Sequence, residues 1–188
     1  MEVNFKANFI NTATVKKYAK NTNQYINKKA TFLELDLTSS KDIEILKKLS
    51  FSWNAAFLKS VLKNVEKKLP NWKVYTLTIQ NNDFNNIDSE KILGIAQTSK
   101  QDSQSINLEY LQVRPEYTHL NSQREFKQVG SSIIDCLKKI ECVTRINVVS
   151  ILEEVDFYIL NGFFYDMDIL QESNLFWQRK SRKSDFID

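Results

Sequence analysis

The chain has 188 residues, of which 42% are hydrophobic and 12% aromatic, and this size and composition favour a folded domain over a disordered chain. Its 26 basic and 23 acidic residues give a formal net charge of +3, too little by itself to indicate nucleic-acid binding. No segment is typical of a signal peptide or a membrane span, so we expect a cytoplasmic protein. Two cysteines and one histidine make a disulfide scaffold or a metal site unexpected.

The first 30 residues are rich in Asn and Lys, and their few apolar side chains are scattered. Ile10, Val15 and Tyr18 have a spacing that would place them along one side of a helix. We therefore predict a short helix in this stretch, which has the weakest pattern of the chain.

The next segment predicts one strand and two helices. Apolar and polar residues alternate over 30–37, which is typical of a half-buried strand. Ser39 with Asp42 three residues later looks like a capping box at the start of a helix. Apolar residues at helical spacing then predict a short amphipathic helix over 43–49 and a second helix over 54–69.

Three strands follow, over 72–80, 91–97 and 106–113. The turn between the second and the third predicts that these two strands pair in antiparallel fashion. Gly94 in the middle strand would allow another backbone to approach closely.

The segment after the third strand carries the candidate for a ligand site. A polar loop leads from Pro115 to Gly130, and apolar residues recur behind Gly130 at helical spacing. The first turn of a helix has free N–H groups and a partial positive charge, which suit a phosphate. Gly130 would let the backbone approach such a ligand, and Ser131 and Ser132 add hydroxyl donors. A helix with an ordinary small-residue start would look the same, so both interpretations stand at this point.

The remaining chain predicts a strand, a short helix and two further strands, over 144–150, 153–163, 164–170 and 174–179. Gly162 would end the helix, and Ser150 with Glu153 three residues on would cap its start. The predicted order is strand, two helices, three antiparallel strands, helix, strand, helix and two strands. This order indicates an α/β fold with a mixed, mostly antiparallel sheet flanked by helices on both faces.

Two motifs and one loop carry a resemblance to a known family. Residues 157–163, Phe-Tyr-Ile-Leu-Asn-Gly-Phe, look like a late Phe-Tyr-x-x-x-Gly-Phe signature, and residues 111–117, Leu-Gln-Val-Arg-Pro-Glu-Tyr, look like a Leu-x-Val-x-Pro-x-Tyr strand end. With these, the chain resembles the GNAT superfamily, the Gcn5-related N-acetyltransferases, over residues 72–178. The fold expected by resemblance is GNAT-like, as a single domain over 1–188 in which 1–30 form a poorly matched N-terminal extension.

The pyrophosphate loop of that family would fall at residues 125–130. The family has Arg or Gln, two residues, Gly, one residue, and then Gly or Ala. Here Glu-Phe-Lys-Gln-Val-Gly keeps only the final Gly, and the loop from Pro115 is longer than usual. A second interpretation therefore stays open, a GNAT-like domain that binds coenzyme or a partner without turnover.

The resemblance implies transfer of an acetyl group from acetyl-CoA to an amine by direct attack. Glu109 stands where many members have the base that deprotonates the amine, and along a regular strand it would share a face with Asn107 and Leu111. Tyr158 matches the tyrosine that protonates the leaving thiolate. The residues implied to hold acetyl-CoA are Leu111, Gln112 and Val113 at the pantetheine arm and Gln128, Val129, Gly130, Ser131 and Ser132 at the pyrophosphate. An exposed glutamate and a packed tyrosine would give the same pattern, so those alternatives stay open too.

The sequence leaves the acceptor amine and the oligomeric state open, a homodimer included. A third interpretation, nucleic-acid binding, has only the basic residues near the end as support, namely Arg179, Lys180, Arg182 and Lys183. It lacks a recognised motif, so we expect neither a nucleic-acid partner nor a membrane partner. We expect His119, in the long loop, to be a solvated residue rather than a catalytic one.

Overall fold

The computed structural model describes residues 7–53, 56–67, 71–118, 124–166 and 174–180. These ranges form one mixed sheet with helices packed on both of its faces, which confirms the predicted α/β architecture. No helix within them is long and apolar enough to cross a membrane.

The sheet has nine strands within the described ranges. They are β1 (Asn8–Ala19), β2 (Gln24–Glu34), β3 (Trp72–Thr78), β4 (Ile92–Lys100), β5 (Ser105–Val113), β6 (Phe126–Lys127), β7 (Arg145–Val149), β8 (Phe164–Tyr165) and β9 (Asn174–Gln178). Their spatial order is β6-β1-β2-β3-β4-β5-β7-β9-β8. Neighbouring strands run antiparallel, except that β5 and β7 run parallel.

The described ranges contain four α-helices. They are α1 (Ser40–Ser52), α2 (Ala56–Glu66), α3 (Val129–Lys138) and α4 (Val155–Leu160). Short 3-10 turns precede β4, follow β5 and precede α4, at Ser89–Lys91, Pro115–Tyr117 and Leu152–Glu154.

Each face of the sheet has its own apolar core. Because side chains alternate along a strand, Leu33 packs in the core that includes helices α1 and α2, and Phe32 in the one that includes α3 and α4. We call these the α1–α2 face and the α3–α4 face. Alternation likewise assigns Ile95 of β4 to the α1–α2 face and Ala96 to the α3–α4 face.

Gly94 brings α3 down onto the sheet. A Cβ atom at this position would lie 2.7 Å from Cδ1 of Ile133 and 3.0 Å from the carbonyl oxygen of Gln112. Non-bonded atoms do not pack this closely, so no side chain fits at this position. The predicted close approach at Gly94 is confirmed. It places the start of α3 over β4 and β5.

The predicted helix in the first 30 residues is wrong. Residues 8–19 form β1, which pairs with β2 along nearly its whole length and with β6 at Lys16 and Lys17. Val15 is fully buried in the apolar core on the α3–α4 face. β2 is the next strand in the chain, whereas β6 lies more than 100 residues later, and neither pairing is visible in the pattern of β1 itself.

The predicted cap at Ser39 is confirmed, because its side chain accepts a hydrogen bond from the N–H of Asp42 at 3.5 Å. In a capping box the Asp42 carboxylate would also accept a hydrogen bond from the N–H of Ser39. Here it accepts from the N–H of Asp36 instead, at 2.8 Å. Burial raises the pKa of Asp42 despite that bond.

The predicted cap of the last helix is wrong. A 3-10 turn at 152–154 separates Ser150 from α4, and the Ser150 hydroxyl donates to the carbonyl of Ile151 at 2.9 Å. Gly162 does end α4 as predicted, with a φ of +78°. Of the predicted strand over 164–170, β8 forms at Phe164–Tyr165, and residues 167–170 lie outside the described ranges.

Candidate active site

The parallel strands β5 and β7 separate part-way along their length. Their pairing runs from Ser105 with Arg145 to Leu108 with Val148, whereas β5 continues to Val113. This leaves one edge of β5 facing a gap beyond Leu108.

The orientation of the β5 backbone in the gap follows from one hydrogen bond. The N–H of Arg114 donates to the carbonyl of Leu93 at 2.8 Å, so the backbone of residue 114 points towards β4. Because this direction alternates along a strand, Gln112 also points towards β4. Leu111 and Val113 point the other way and present their N–H and C=O groups to the gap.

The start of α3 borders this gap. A Cβ atom on Gly130 would lie 3.0 Å from Cζ of Phe157 and 3.6 Å from Cγ2 of Val113. The start of α3, the end of β5 and the side of α4 therefore meet at Gly130. The contact with Phe157 is enough to explain why a residue without a side chain stands at position 130, without the ligand that the sequence suggested.

The first turn of α3 has N–H groups beside the gap that are not used within the helix. Its first helical hydrogen bond runs from the N–H of Ser132 to the carbonyl of Gln128 at 2.9 Å. The preceding N–H groups, those of Val129, Gly130 and Ser131, have no partner inside the helix. Together with the helix dipole they form a place for a negatively charged group.

Ser132 has both of its donors engaged within the fold. Its N–H is in the helix, and its hydroxyl donates to the carbonyl of Thr14 on β1 at 2.9 Å. Ser131, the residue before it, is half-buried. Of the two serines, Ser131 is the one placed to offer a hydroxyl to a ligand.

Gln128 adopts the left-handed conformation, with φ 63° and ψ 17°. It stands where the family pattern has its first Gly, so the loop has a glycine-like backbone without the glycine. A left-handed residue with a side chain costs roughly 1–2 kcal/mol. The surrounding structure has to offset that cost.

Tyr158 lies in a buried aromatic cluster on α4, with 5% of its surface exposed. Its ring makes edge contacts with Phe157 and Phe163 at centroid distances of 5.2 and 5.5 Å. Burial, with a smaller contribution from the charge of Glu154, raises the pKa of the Tyr158 phenol. The hydroxyl is therefore protonated at any physiological pH and available as a donor.

Glu109 sits in a β-bulge. The pairing of β5 with β4 shifts between Leu108 and Tyr110, and Glu109 is the residue left without a partner. A bulge breaks the alternation of a strand, so Leu111 packs with Leu108 on the α3–α4 face rather than sharing a face with Glu109. That part of the sequence interpretation is wrong.

The Glu109 carboxylate accepts a hydrogen bond from the hydroxyl of Ser99. Ser99 lies four residues after Ile95 and two after Gln97 on β4. Because side chains alternate along a strand, Ser99 is on the same face as Ile95, and its contact with Glu109 is on the α1–α2 face. A cavity of about 440 Å³ lies beside Glu109. It is lined by Gln101, Asp102, Ser105, Asn107, Leu108, Glu109, Arg145, Asn147, Val148, Val149, Asp166, Asn174 and Leu175.

No family model and no curated protein sequence matches the chain. Solved structures do: Gcn5 of Tetrahymena superposes with a TM-score of 0.50 at 10% identity, covering 75% of this chain and 90% of its own. A chimera of the spermidine N-acetyltransferase SpeG from Vibrio cholerae and hSSAT gives 0.50 at 12% identity, covering 79% and 95%. The chain has the GNAT fold. The resemblance read from the motifs is thereby confirmed for the fold.

The GNAT fold brings most of the predicted site residues together. Gly130 lies against Val113 and against Phe157, the first residue of the motif at 157–163. Leu111 faces the same gap. Gln112 pairs with β4, and Glu109 reaches the opposite face from Tyr158. Sequence reasoning missed Ser99, which contacts the base candidate, and Asn147, which lines the same cavity as Glu109. For Asn147, polar residues at every second position of β5 and β7 were a signal.

Arg179, one of the basic residues near the end of the chain, has a structural role. The guanidinium of Arg179 donates to the carbonyls of Lys138, Ile140 and Glu141 at 2.8, 3.2 and 3.3 Å, and thereby caps the end of α3. Arg182, Lys183 and His119 lie outside the described ranges. Within those ranges no three His, Cys, Asp or Glu residues group as they would around a metal ion.

Proposed function

We propose that the protein is an N-acyltransferase that moves an acetyl group from acetyl-CoA to an amine by direct attack, without an acyl-enzyme. The observation that carries this proposal is the open edge of β5 beside the free N–H groups of α3. A strand edge suits the amides of a pantetheine arm, and a helix start suits a pyrophosphate. The GNAT fold shared with Gcn5 and with the SpeG chimera supports the same reaction class.

In this proposal the coenzyme lies along the gap. Leu111 and Val113 pair with its pantetheine amides through their backbones. The N–H groups of Val129, Gly130 and Ser131 hold the pyrophosphate, helped by the side chains of Gln128 and Ser131. Ser132 supports the helix start through its bond to β1, and Gln112 keeps β5 in register with β4.

The proposed reaction needs one base and one acid. Glu109 takes a proton from the acceptor ammonium, and the neutral amine attacks the thioester carbonyl to give a tetrahedral intermediate. A backbone N–H facing the gap stabilises the oxyanion. The intermediate collapses as the C–S bond breaks, and Tyr158 donates its proton to the departing thiolate. The nitrogen, which is positively charged after the attack, loses a proton that returns to the Tyr158 phenolate, and Glu109 releases its proton to solvent. The products are an amide and free coenzyme A.

The raised pKa of Tyr158 sets a condition on this step. A phenol with a raised pKa is a weaker acid than one in water, and a free thiol has a pKa of about 8.5. Burial that raises the pKa of the phenol also raises that of a thiol bound beside it. The difference between the two pKa values decides the transfer, so Tyr158 can act as the acid only where the same dry environment raises the pKa of the thiol as well.

The alternative is a GNAT-like domain that binds coenzyme or a partner without turnover. Gln128 in the place of a glycine is the observation that favours it. Binding of acetyl-CoA is common to both proposals, and release of coenzyme A upon addition of an amine separates them.

Calorimetric titration with acetyl-CoA tests the coenzyme site, and Ser131→Glu is the sharpest variant. Its carboxylate would repel the phosphates, and we expect the affinity to fall about tenfold or more. An acidic residue in the first turn stabilises a helix, so the melting temperature should hold or rise. Gly130 is a poorer choice, because any side chain there would crowd Phe157.

Ser103→Glu, in the exposed turn before β5, is the matched control and should bind like the parent. Equal affinity in the parent and in Ser131→Glu would contradict the phosphate assignment. A parent chain that binds no acetyl-CoA would refute both proposals.

A further inference from the structure

A line of polar side chains crosses the α1–α2 face of the sheet and ends at Glu109. It begins at Arg145 on β7, whose Nη2 lies 2.7 Å from Oδ2 of Asp166. The guanidinium also lies 4.3 Å from the centre of the Phe176 ring. Nε of Arg145 donates to Oδ1 of Asn147 at 2.7 Å. Asp166 and Phe176 thereby fix the cation at one end of the line.

The line continues through amide groups on neighbouring strands. Nδ2 of Asn147 donates to Oδ1 of Asn107 on β5 at 3.2 Å and to Oε1 of Gln101 at 2.6 Å. Nδ2 of Asn107 donates to Oγ of Ser99 on β4 at 3.4 Å. The Ser99 hydroxyl then donates to Oε1 of Glu109.

The polar ladder, made of Arg145, Asn147, Asn107, Ser99 and Glu109, has a fixed direction. A guanidinium can only donate hydrogen bonds, and an ionised carboxylate can only accept them. Each amide between these ends must turn its oxygen towards the guanidinium and its NH₂ group towards the carboxylate. The serine must then direct its hydrogen to the carboxylate. The arrangement is therefore matched to Glu109 in its ionised form, the form that a base needs.

The bulge explains why Glu109 needs such support. No residue of β4 pairs with Glu109 in the register of the two strands, and Glu109 is exposed. An exposed glutamate side chain would sample several rotamers, and ordering it costs conformational entropy. The bond from Ser99 selects one direction, beside the 440 Å³ cavity that Glu109, Asn107, Asn147 and Arg145 line.

We propose that Ser99, Asn107 and Asn147 are positioning residues that hold the ionised carboxylate of Glu109 towards this cavity. Ser99 fixes Oε1 and leaves Oε2 for the acceptor amine. This inference rests on the proposed function, because it assigns the ladder a task only if Glu109 is the base.

The test uses acetyl-CoA as donor and a panel of amines: spermidine, a lysine-containing peptide and a peptide with a free N-terminus. The best acceptor of the panel is kept, and coenzyme A release gives kcat and KM. Ser99→Ala should lower kcat about tenfold, because it removes the last donor to a charged group. The KM for acetyl-CoA should stay within about twofold. Ser99→Thr keeps the hydroxyl and fits a strand, so it should restore kcat to within about twofold.

Asn147→Asp tests the direction of the ladder. The new carboxylate still accepts from Arg145 but cannot donate to Asn107. Asparagine and aspartate side chains have the same shape, so only one functional group changes. We expect kcat of Asn147→Asp to be lower than that of the parent. Ser103→Ala, in the exposed turn, is the matched control, and thermal melting reports on folding.

A double-mutant cycle separates this role from a structural one. If Ser99 acts through Glu109, Ser99→Ala should cost less than about twofold in a Glu109→Gln background. An equal loss in both backgrounds, or parental kcat in Ser99→Ala, would overturn the ladder proposal and leave the proposed function intact. Parental turnover in Glu109→Gln would instead refute the base assignment, and the ladder with it. A parent that releases no coenzyme A with any amine would refute the proposed function before any variant is made.

Discussion

Tyr158→Phe is the most direct test of the proposed acid. The change removes one hydroxyl and keeps the ring. The two edge contacts at 5.2 and 5.5 Å therefore survive. Such aromatic pairs contribute about 0.5–1.5 kcal/mol each, so the variant retains roughly 1–3 kcal/mol that Tyr158→Ala would lose along with the buried ring. We expect Tyr158→Phe to melt close to the parent temperature.

The effect on turnover should be far larger than the effect on folding. Assistance by a positioned acid is worth about 10²–10⁴-fold, and we expect kcat of Tyr158→Phe to fall by about that factor. Affinity for acetyl-CoA should change little, because the sulfur is a small part of the ligand. The assay is coenzyme A release with an accepted amine, combined with calorimetry and thermal melting on the same preparation.

Two results would refute the reasoning. Near-parental kcat in Tyr158→Phe would mean that another group or water protonates the thiolate. An equal loss of binding and turnover would make Tyr158 a binding or packing residue and would favour the domain without turnover.

Three further predictions concern rate, packing and pH. Glu109→Gln should lower turnover of a cationic amine about a hundredfold or more and move the pH optimum upward; an unchanged pH–rate profile would make Glu109 an ordinary surface carboxylate. Gln97 is fully buried, and neither polar atom of its side chain has a hydrogen-bond partner among the described residues. Gln97→Met should therefore raise the free energy of unfolding in urea by about 1–3 kcal/mol. A lower free energy of unfolding in the variant would mean that the amide of Gln97 does have hydrogen-bond partners. Burial raises the pKa of Tyr158 above the value of 10.0 expected for the unfolded chain, so above pH 10 the unfolded state loses this proton first and stability falls as pH rises. Tyr158→Phe should show a shallower fall in urea midpoints from pH 9 to 11, with Tyr75 causing part of the remainder, and identical curves would contradict the linkage.

Elements with strong local periodicity were predictable from sequence. The strands at 72–78 and 105–113 and the helix behind Gly130 follow from alternation or helical spacing, and the structure places them within a few residues. β1 was not predicted because its own residues lack a clear alternation, and its pairing with β2, the next strand, and with β6, more than 100 residues later, is not visible in that stretch. One local signal was available: Asn23 in the polar turn between β1 and β2 has a φ of 54°, a conformation that asparagine tolerates well.

The candidate site was predictable in part for the same reason. The α4 motif and the strand end at Val113 are contiguous in sequence, so each could be read as a unit. The contacts that assemble the site are not: Ser99 meets Glu109 only through the register of β4 and β5, and Asn147 meets Asn107 across 40 residues. The bulge at Glu109 also changes the face of Leu111, and no rule of alternation gives its position.

That bulge has a consequence for how the chain tolerates insertions and deletions. Between Ile106 and Val113, Glu109 is the one residue that β4 does not pair with. Deleting it would join two segments that are already in register with β4, whereas deleting a residue of β5 away from the bulge would turn the side chains on one side of the deletion to the wrong face. The sheet itself therefore does not require the residue that we propose as the base. A chain that lacks Glu109 would therefore keep the pairing of β4 with β5 and lose only the proposed base.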